Sequence, residues 1–177
     1  ARDLLGRVTP AAEPAVVPRA GLHRSNDRGR HLAGIVFYRA LYQAGDLAAI
    51  DALVEALDAR GVDARAIYVA SLKDEAAASF LRAALANAEL VINLTSFAVG
   101  DGDPLAALDC PVLQATLSSD GVESWTTGLR GLPPRDIAMS VALPELDGRI
   151  YTRAIAFKGL ARRDDALQAD VMVMQPV

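Results

Sequence analysis

The sequence predicts an α/β fold: an open, mostly parallel sheet of four or five strands flanked by helices. Three observations predict it. Ile35-Val36-Phe37-Tyr38 and Ala66-Ile67-Tyr68-Val69 are short apolar runs of strand-forming residues. Between them Leu47, Ile50, Leu53, Val54 and Leu57 recur at spacings of three, four and seven, one apolar stripe on a helix. Leu90-Val91-Ile92-Asn93-Leu94 is almost continuously apolar, as suits a parallel strand covered on both faces. Strand, helix and strand in this order form a right-handed βαβ unit, which sets the direction of the rest.

Residues 1–31 read as a linker or irregular arm, 32–160 as the α/β domain and 161–177 as a tail or edge segment. Pro10, Pro14 and Pro18 punctuate the arm, and Arg24, Arg28, Arg30 and His31 cluster at its end. The plain reading of that cluster is a solvated loop rather than an anion site. Asp46 is placed to cap the first helix and Gly61 to end it. Ser71 or Asp74 caps a second helix whose buried face is Ala77, Phe80, Leu81, Ala84 and Leu85. VGDGDP is a turn cluster; it lacks the Gly-Lys-Ser/Thr ending of a phosphate loop. Pro104 to Leu108 forms a short helix, and Val112 to Leu117 a fourth strand. Pro133 and Pro134 open a further helix that ends before Pro144. Arg149 to Phe157 is a fifth strand, at a sheet edge. The expected order of the first four strands is 2-1-3-4, a flavodoxin-like arrangement.

A chain of 177 residues, 52% hydrophobic, can bury one domain core. A net charge of -4 argues against general nucleic-acid binding. The single cysteine, Cys110, excludes an internal disulfide and a cysteine-built zinc site, and a reducing, cytoplasmic setting follows as the simpler reading. The sequence has no apolar run long enough to span a membrane and opens with no signal-peptide pattern.

Ligands of open α/β sheets bind beyond the carboxyl ends of the strands. That rule selects Tyr38 and Arg39, Ser71 and Lys73, Asn93, Thr95 and Ser96, and Gln114, Thr116 and Ser118. The set is polar and net cationic, so it suits an anionic, oxygen-rich ligand. It holds no carboxylate or imidazole, which makes it a poor transition-metal site. Each member also has a structural reading: Arg39 paired with Asp46 or a helix end, Lys73 solvated, Asn93 bonded to a neighbouring turn. The Asn93-Leu94-Thr95 sequon is discounted because its asparagine lies in a buried strand. Glu145 and Asp147 sit between Pro144 and Gly148, where paired carboxylates either help to hold a divalent cation, accept protons or simply face solvent. His23 and His31 in the arm read as incidental, and Trp125 as a core or lid residue.

GIVFYRALYQAGD, SLKD, LVINLTSFA, DPLAALDCPVLQATLSS, GLPPRDIAMSVALPELDGRI and RAIAFKG follow one another over roughly residues 34–160. These blocks resemble the large subunit of aerobic cobaltochelatase, the CobN family, which is related to the porphyrin-binding large subunit of magnesium chelatase. Members of that family are many times longer, so the resemblance implies a fragment of a larger protein. It further implies a tetrapyrrole-binding subunit that inserts cobalt, its metal substrate, into a corrin precursor of cobalamin. ATP would be hydrolysed on AAA+ partner subunits, with no cofactor held tightly by the fragment, which would be inactive alone. Because ALPELDG matches a recurrent block, the resemblance gives Glu145 a metal-handling or proton-accepting role supported by Asp147. With a tetrapyrrole as the ligand, Tyr38, Arg39, Ser71, Lys73, Asn93, Thr95 and Gln114 from the strand-end set are the expected substrate-binding residues. The alternatives are a magnesium chelatase fragment and a non-catalytic small-molecule-binding or subunit-docking domain.

Overall fold

A computed structural model of the chain describes Glu13, residues 15–129 and residues 131–177. Pro10 and Pro14, which punctuate the expected arm, lie outside the described residues. Seven strands form one sheet: β1 (Ala20–Ser25), β2 (Leu32–Tyr38), β3 (Asp63–Val69), β4 (Leu90–Asn93), β5 (Val112–Ser118), β6 (Ile150–Asp164) and β7 (Ala169–Pro176). Their order is β1-β3-β2-β4-β5-β6-β7. The pairs from β3 through β6 are parallel, and the two outer pairs are antiparallel.

The order of the first four expected strands is found, as β3-β2-β4-β5. The count of four or five is corrected to seven. β1 lies in the stretch expected to be irregular. Its sequence AGLHRS has no apolar alternation, and Leu22 is half exposed. It is a strand because the open edge of β3 offers unpaired backbone groups. Nor is the fifth expected strand an edge: β6 pairs with β5 on one side and runs on to Asp164 in a hairpin with β7 on the other.

Helices cover both faces of the central strands. α1 (Arg39–Ala44) leads into α2 (Ala48–Asp58), whose Ile50 and Val54 pack on Ile35, Phe37, Ala66 and Tyr68. Leu53 is only partly buried at the margin of that cluster. α3 (Glu75–Ala84) lies on the opposite face, where Ala77, Leu81 and Leu85 meet Val36, Ile67, Val69 and Val91. Phe80, expected on that buried face, points outward, and Ala78 is buried in its place. Gly34 permits this approach, since a Cβ there would stand 2.7 Å from Leu85 Cδ1. Asp74 caps α3 by accepting from the Ala77 N–H at 2.9 Å. Asp46 does not cap α2. Its carboxylate accepts from the Met174 N–H at 2.9 and 3.1 Å, satisfying the outer edge of β7 where the curled sheet meets the connection between α1 and α2.

Past α4 (Val122–Thr127), the next helix starts at Pro134 but does not stop before Pro144. It runs as α5 (Pro134–Ile137), a π turn (Ala138–Ala142) and α6 (Leu143–Glu145). Proline has no N–H to give the preceding turn, and the widened turn lets the chain continue without that bond.

The basic cluster of the arm is consumed by ion pairs. Arg24 meets Asp51 and Glu55, Arg28 meets Asp58, Arg30 meets Asp58 and Asp63, and His31 meets Glu89. Asp63 is the anchor. It accepts from the Arg28 N–H at 2.7 Å, the Arg30 N–H at 2.9 Å and Arg30 Nε at 2.7 Å. Burial pushes its carboxyl pKa up, but the two N–H groups and the guanidinium outweigh burial and bring it from the ordinary 3.8 down to about 2. The folded value lies below the unfolded one. Asp63 therefore stabilises the fold above the ordinary value, and its contribution disappears as pH falls through about 2. The urea midpoint should drop across that window, and Asp63→Asn should remove part of the drop. An unchanged pH profile in Asp63→Asn would reject this assignment.

Candidate functional site

A cavity of about 350 Å³ opens at the carboxyl ends of β2, β3 and β4. Tyr38, Ser71, Lys73, Thr95 and Ser96 line it, with Leu72, Phe97, Ala98, Val99 and Leu143. Strand direction brings these residues together, because parallel neighbours end on the same edge of the sheet. Four of the seven residues expected to bind substrate, Tyr38, Ser71, Lys73 and Thr95, thus share one cavity.

The Tyr38 hydroxyl donates to the Ser96 carbonyl at 2.9 Å and accepts from the Ser96 N–H at 3.1 Å. Burial pushes its phenol pKa up, against the smaller opposing pull of the Ser96 backbone and Arg149, so it remains a neutral hydrogen-bonding group. The Ser71 hydroxyl accepts from the Lys73 N–H at 3.1 Å and fixes the turn that carries the lysine. Lys73 is exposed, and its ammonium has no ion-pair partner among the described residues.

The other three stand apart. Arg39 donates to the Val17 carbonyl at 3.1 Å, tying down the approach to β1, and does not pair with Asp46. Asn93 and Gln114 are buried beneath the cavity and satisfy each other. Asn93 Nδ2 donates to Gln114 Oε1 at 2.7 Å, Gln114 Nε2 donates to the Thr95 carbonyl at 2.8 Å, and the Thr95 hydroxyl donates to Asn93 Oδ1 at 2.9 Å. This network holds Thr95 at the cavity wall. Ser118 donates to the buried Asp136 at 2.9 Å, whereas the buried Thr116 hydroxyl has no partner.

The Glu145/Asp147 turn divides into unlike halves. Glu145 ends α6, is exposed and lines neither the cavity nor the hollow beside Asp147; its carbonyl accepts from the Gly148 N–H at 3.0 Å, while its carboxylate has no partner among the described residues. Asp147 cannot lend Glu145 the support the sequence suggests, because its oxygens are engaged elsewhere. They accept from the Val99 N–H at 2.7 Å and the Gly100 N–H at 3.0 Å, and meet Arg149 at 3.2 Å. Arg149, itself buried, also pairs with buried Asp103 at 3.0 Å. The three residues clamp the 97–103 loop that forms the cavity rim. Among the described residues no group of three or more His, Cys, Asp or Glu is placed to hold a metal ion.

The sequence reading missed Phe97. It has φ 71°, is half exposed at 52%, and lines the cavity. Its N–H donates to the Met139 carbonyl in the π turn at 2.9 Å, and its carbonyl accepts from Arg149 Nη1 at 3.4 Å. Only its place just past the polar end of β4 hinted at a role. Trp125 is partly exposed and packs on Phe157, with ring centroids 5.7 Å apart. His23 pairs with Asp51 in the wall of α2. No helix among the described residues is long and apolar enough to cross a membrane.

Comparison with known proteins agrees with the fold and the motifs. The family model CobN/Magnesium Chelatase matches residues 6–177. The aerobic cobaltochelatase subunit CobN of Sinorhizobium sp. is 41% identical over 81% of this chain and 12% of its own length. The Pseudomonas aeruginosa subunit of the same name is 38% identical over 97% of the chain and 15% of its own. A magnesium-chelatase subunit of Rhodobacter capsulatus is 28% identical over 93% of the chain and 14% of its own. The solved catalytic subunit of cobaltochelatase from Mycobacterium tuberculosis superposes with a TM-score of 0.79 at 27% identity, covering 98% of this chain and 16% of that one. The sequence thus spans less than a fifth of the relatives it matches. The chain belongs to the CobN/magnesium chelatase family.

Proposed function

We propose that this chain is part of the tetrapyrrole-binding large subunit of an ATP-dependent cobaltochelatase, which inserts cobalt into a corrin precursor in cobalamin biosynthesis. The observation that carries this reading is the identity of 41% and 38% to two cobaltochelatase subunits against 28% to a magnesium-chelatase subunit. That ranking favours cobalt as the substrate metal. The chain holds no Gly-x-x-x-x-Gly-Lys-Ser/Thr loop, so the reading assigns ATP hydrolysis to AAA+ partner subunits. It places the enzyme in the cytoplasm, where Cys110 stays a thiol.

In this reading the cavity at the ends of β2, β3 and β4 receives one edge of the macrocycle. Lys73 supplies a cation for a peripheral carboxylate, and Ser71 and Thr95 supply hydroxyls. The test uses the full-length subunit and a metal-free polycarboxylated porphyrin, titrated by its absorption band. Lys73→Glu should weaken binding by about tenfold to a hundredfold, the range for a hydrogen bond to a charged group. Unchanged affinity would remove this cavity from the substrate site.

A further inference from the structure

We infer that Phe97 is an aromatic platform on which the flat, conjugated face of the tetrapyrrole rests while Lys73 holds a peripheral carboxylate; this rests on the tetrapyrrole reading above. Phe97 sits in the left-handed backbone region at φ 71°, which bulky side chains rarely adopt. Turn chemistry does not account for it, because glycine takes that conformation without strain. Packing does not account for it either, because 52% of the residue remains in solvent. The fold nevertheless holds this conformation from both sides. The Met139 carbonyl takes the Phe97 N–H, and buried Arg149 reaches the Phe97 carbonyl. Arg149 is in turn fixed by Asp103 and Asp147, and Asp147 grips the next turn at Val99 and Gly100.

These contacts hold Phe97 in the lining of a cavity that also presents Lys73, which has no ion-pair partner among the described residues. A flat ring offers a π-conjugated ligand an offset stacking surface, and the neighbouring ammonium answers the carboxylates at the ligand's edge. The two chemistries together select planar, conjugated, polyanionic ligands. Inorganic phosphate would use the cation and leave the ring idle.

The test compares wild-type, Phe97→Gly and Phe97→Trp forms of the full-length subunit. Each is titrated with a metal-free polycarboxylated porphyrin, and melting temperatures are recorded alongside. Phe97→Gly should bind about tenfold more weakly yet melt at or above the wild-type temperature, because glycine relieves the backbone strain. Phe97→Trp should bind as tightly as wild type. Wild-type binding with equal affinity in Phe97→Gly overturns the platform and leaves the cavity reading standing. A lower melting temperature at unchanged affinity assigns Phe97 to packing and also overturns it. Absence of binding by the wild type to this porphyrin and to a metal-free polycarboxylated corrin alike overturns the tetrapyrrole reading and the platform together.

Discussion

Arg149→Met should destabilise the domain by about 3–5 kcal/mol, the range for removing one partner of a buried ion pair. Arg149 is the hub between two buried carboxylates: side-chain exposure is 1% for Arg149, 5% for Asp103 and 4% for Asp147. Methionine fills much of the volume but leaves two carboxylates in a poorly solvated site facing each other. Arg149→Lys should recover only part of the loss, since one ammonium cannot reproduce a fork that spans Asp103, Asp147 and the Phe97 carbonyl. The control is Arg163→Met. Arg163 pairs with Asp170 in the β6–β7 hairpin at 53% and 52% exposure, where an ion pair contributes about 0.2–1 kcal/mol at most. Urea unfolding of the variants checks the ranking. Equal small losses for Arg149→Met and Arg163→Met would show that the cluster does not clamp the loop.

The same cluster shows what the sequence can and cannot disclose. β2, β3 and β4 are legible because each carries a run of apolar residues, which a strand covered on both faces requires, and β5 because apolar and polar residues mix along it between turn signals. Their order follows from short right-handed crossovers. β1 is illegible because nothing local makes AGLHRS a strand; it forms on a β3 edge that lies more than forty residues away in sequence (Ala20 pairs with Val69). Asp46 looks like a helix cap because local rules see only the helix, whereas its partner, Met174, arrives from 128 residues downstream. Tertiary contacts of this kind override local propensity.

The site divides along the same line. Tyr38, Ser71, Lys73 and Thr95 are legible because the rule for strand ends is a rule of topology, and the topology of these strands is legible. Asn93 and Gln114 satisfy that rule yet serve the scaffold, because alternation along a strand turns their amides inward, where they bond each other. Phe97 obeys no sequence rule. Its left-handed backbone is imposed by Met139 and Arg149, more than forty residues on. Residues clamped by distant partners are invisible in the local pattern, and here they form the rim of the cavity.

Glu145→Gln should lower cobalt insertion by the full-length subunit by on the order of 10²–10⁴-fold, the range for loss of a general base. Metal insertion must strip the pyrrole nitrogens of their protons, and a carboxylate is ionised and able to accept them near neutral pH. Most other acidic residues near the cavity are committed, whereas Asp101 and Glu75, beside Lys73 on the far side of the 97–103 loop, are exposed. Asp147 and Asp103 are bound to Arg149, Asp74 caps α3, and Asp136 accepts from Ser118 and Ser119. Glu145 in the Pro144–Gly148 turn is exposed, its carboxylate without a partner among the described residues, two positions after cavity-lining Leu143. A carboxylate that the fold does not use can be changed to its amide without loosening anything. The substitution should therefore leave the melting temperature and porphyrin affinity at wild-type values, in contrast to Arg149→Met, which lowers stability, and Lys73→Glu, which lowers affinity. Measuring rate, affinity and melting temperature together, with the ATPase subunits assembled, separates the three roles. Wild-type insertion by a stable Glu145→Gln subunit would remove Glu145 from the chemistry and assign the base to another residue.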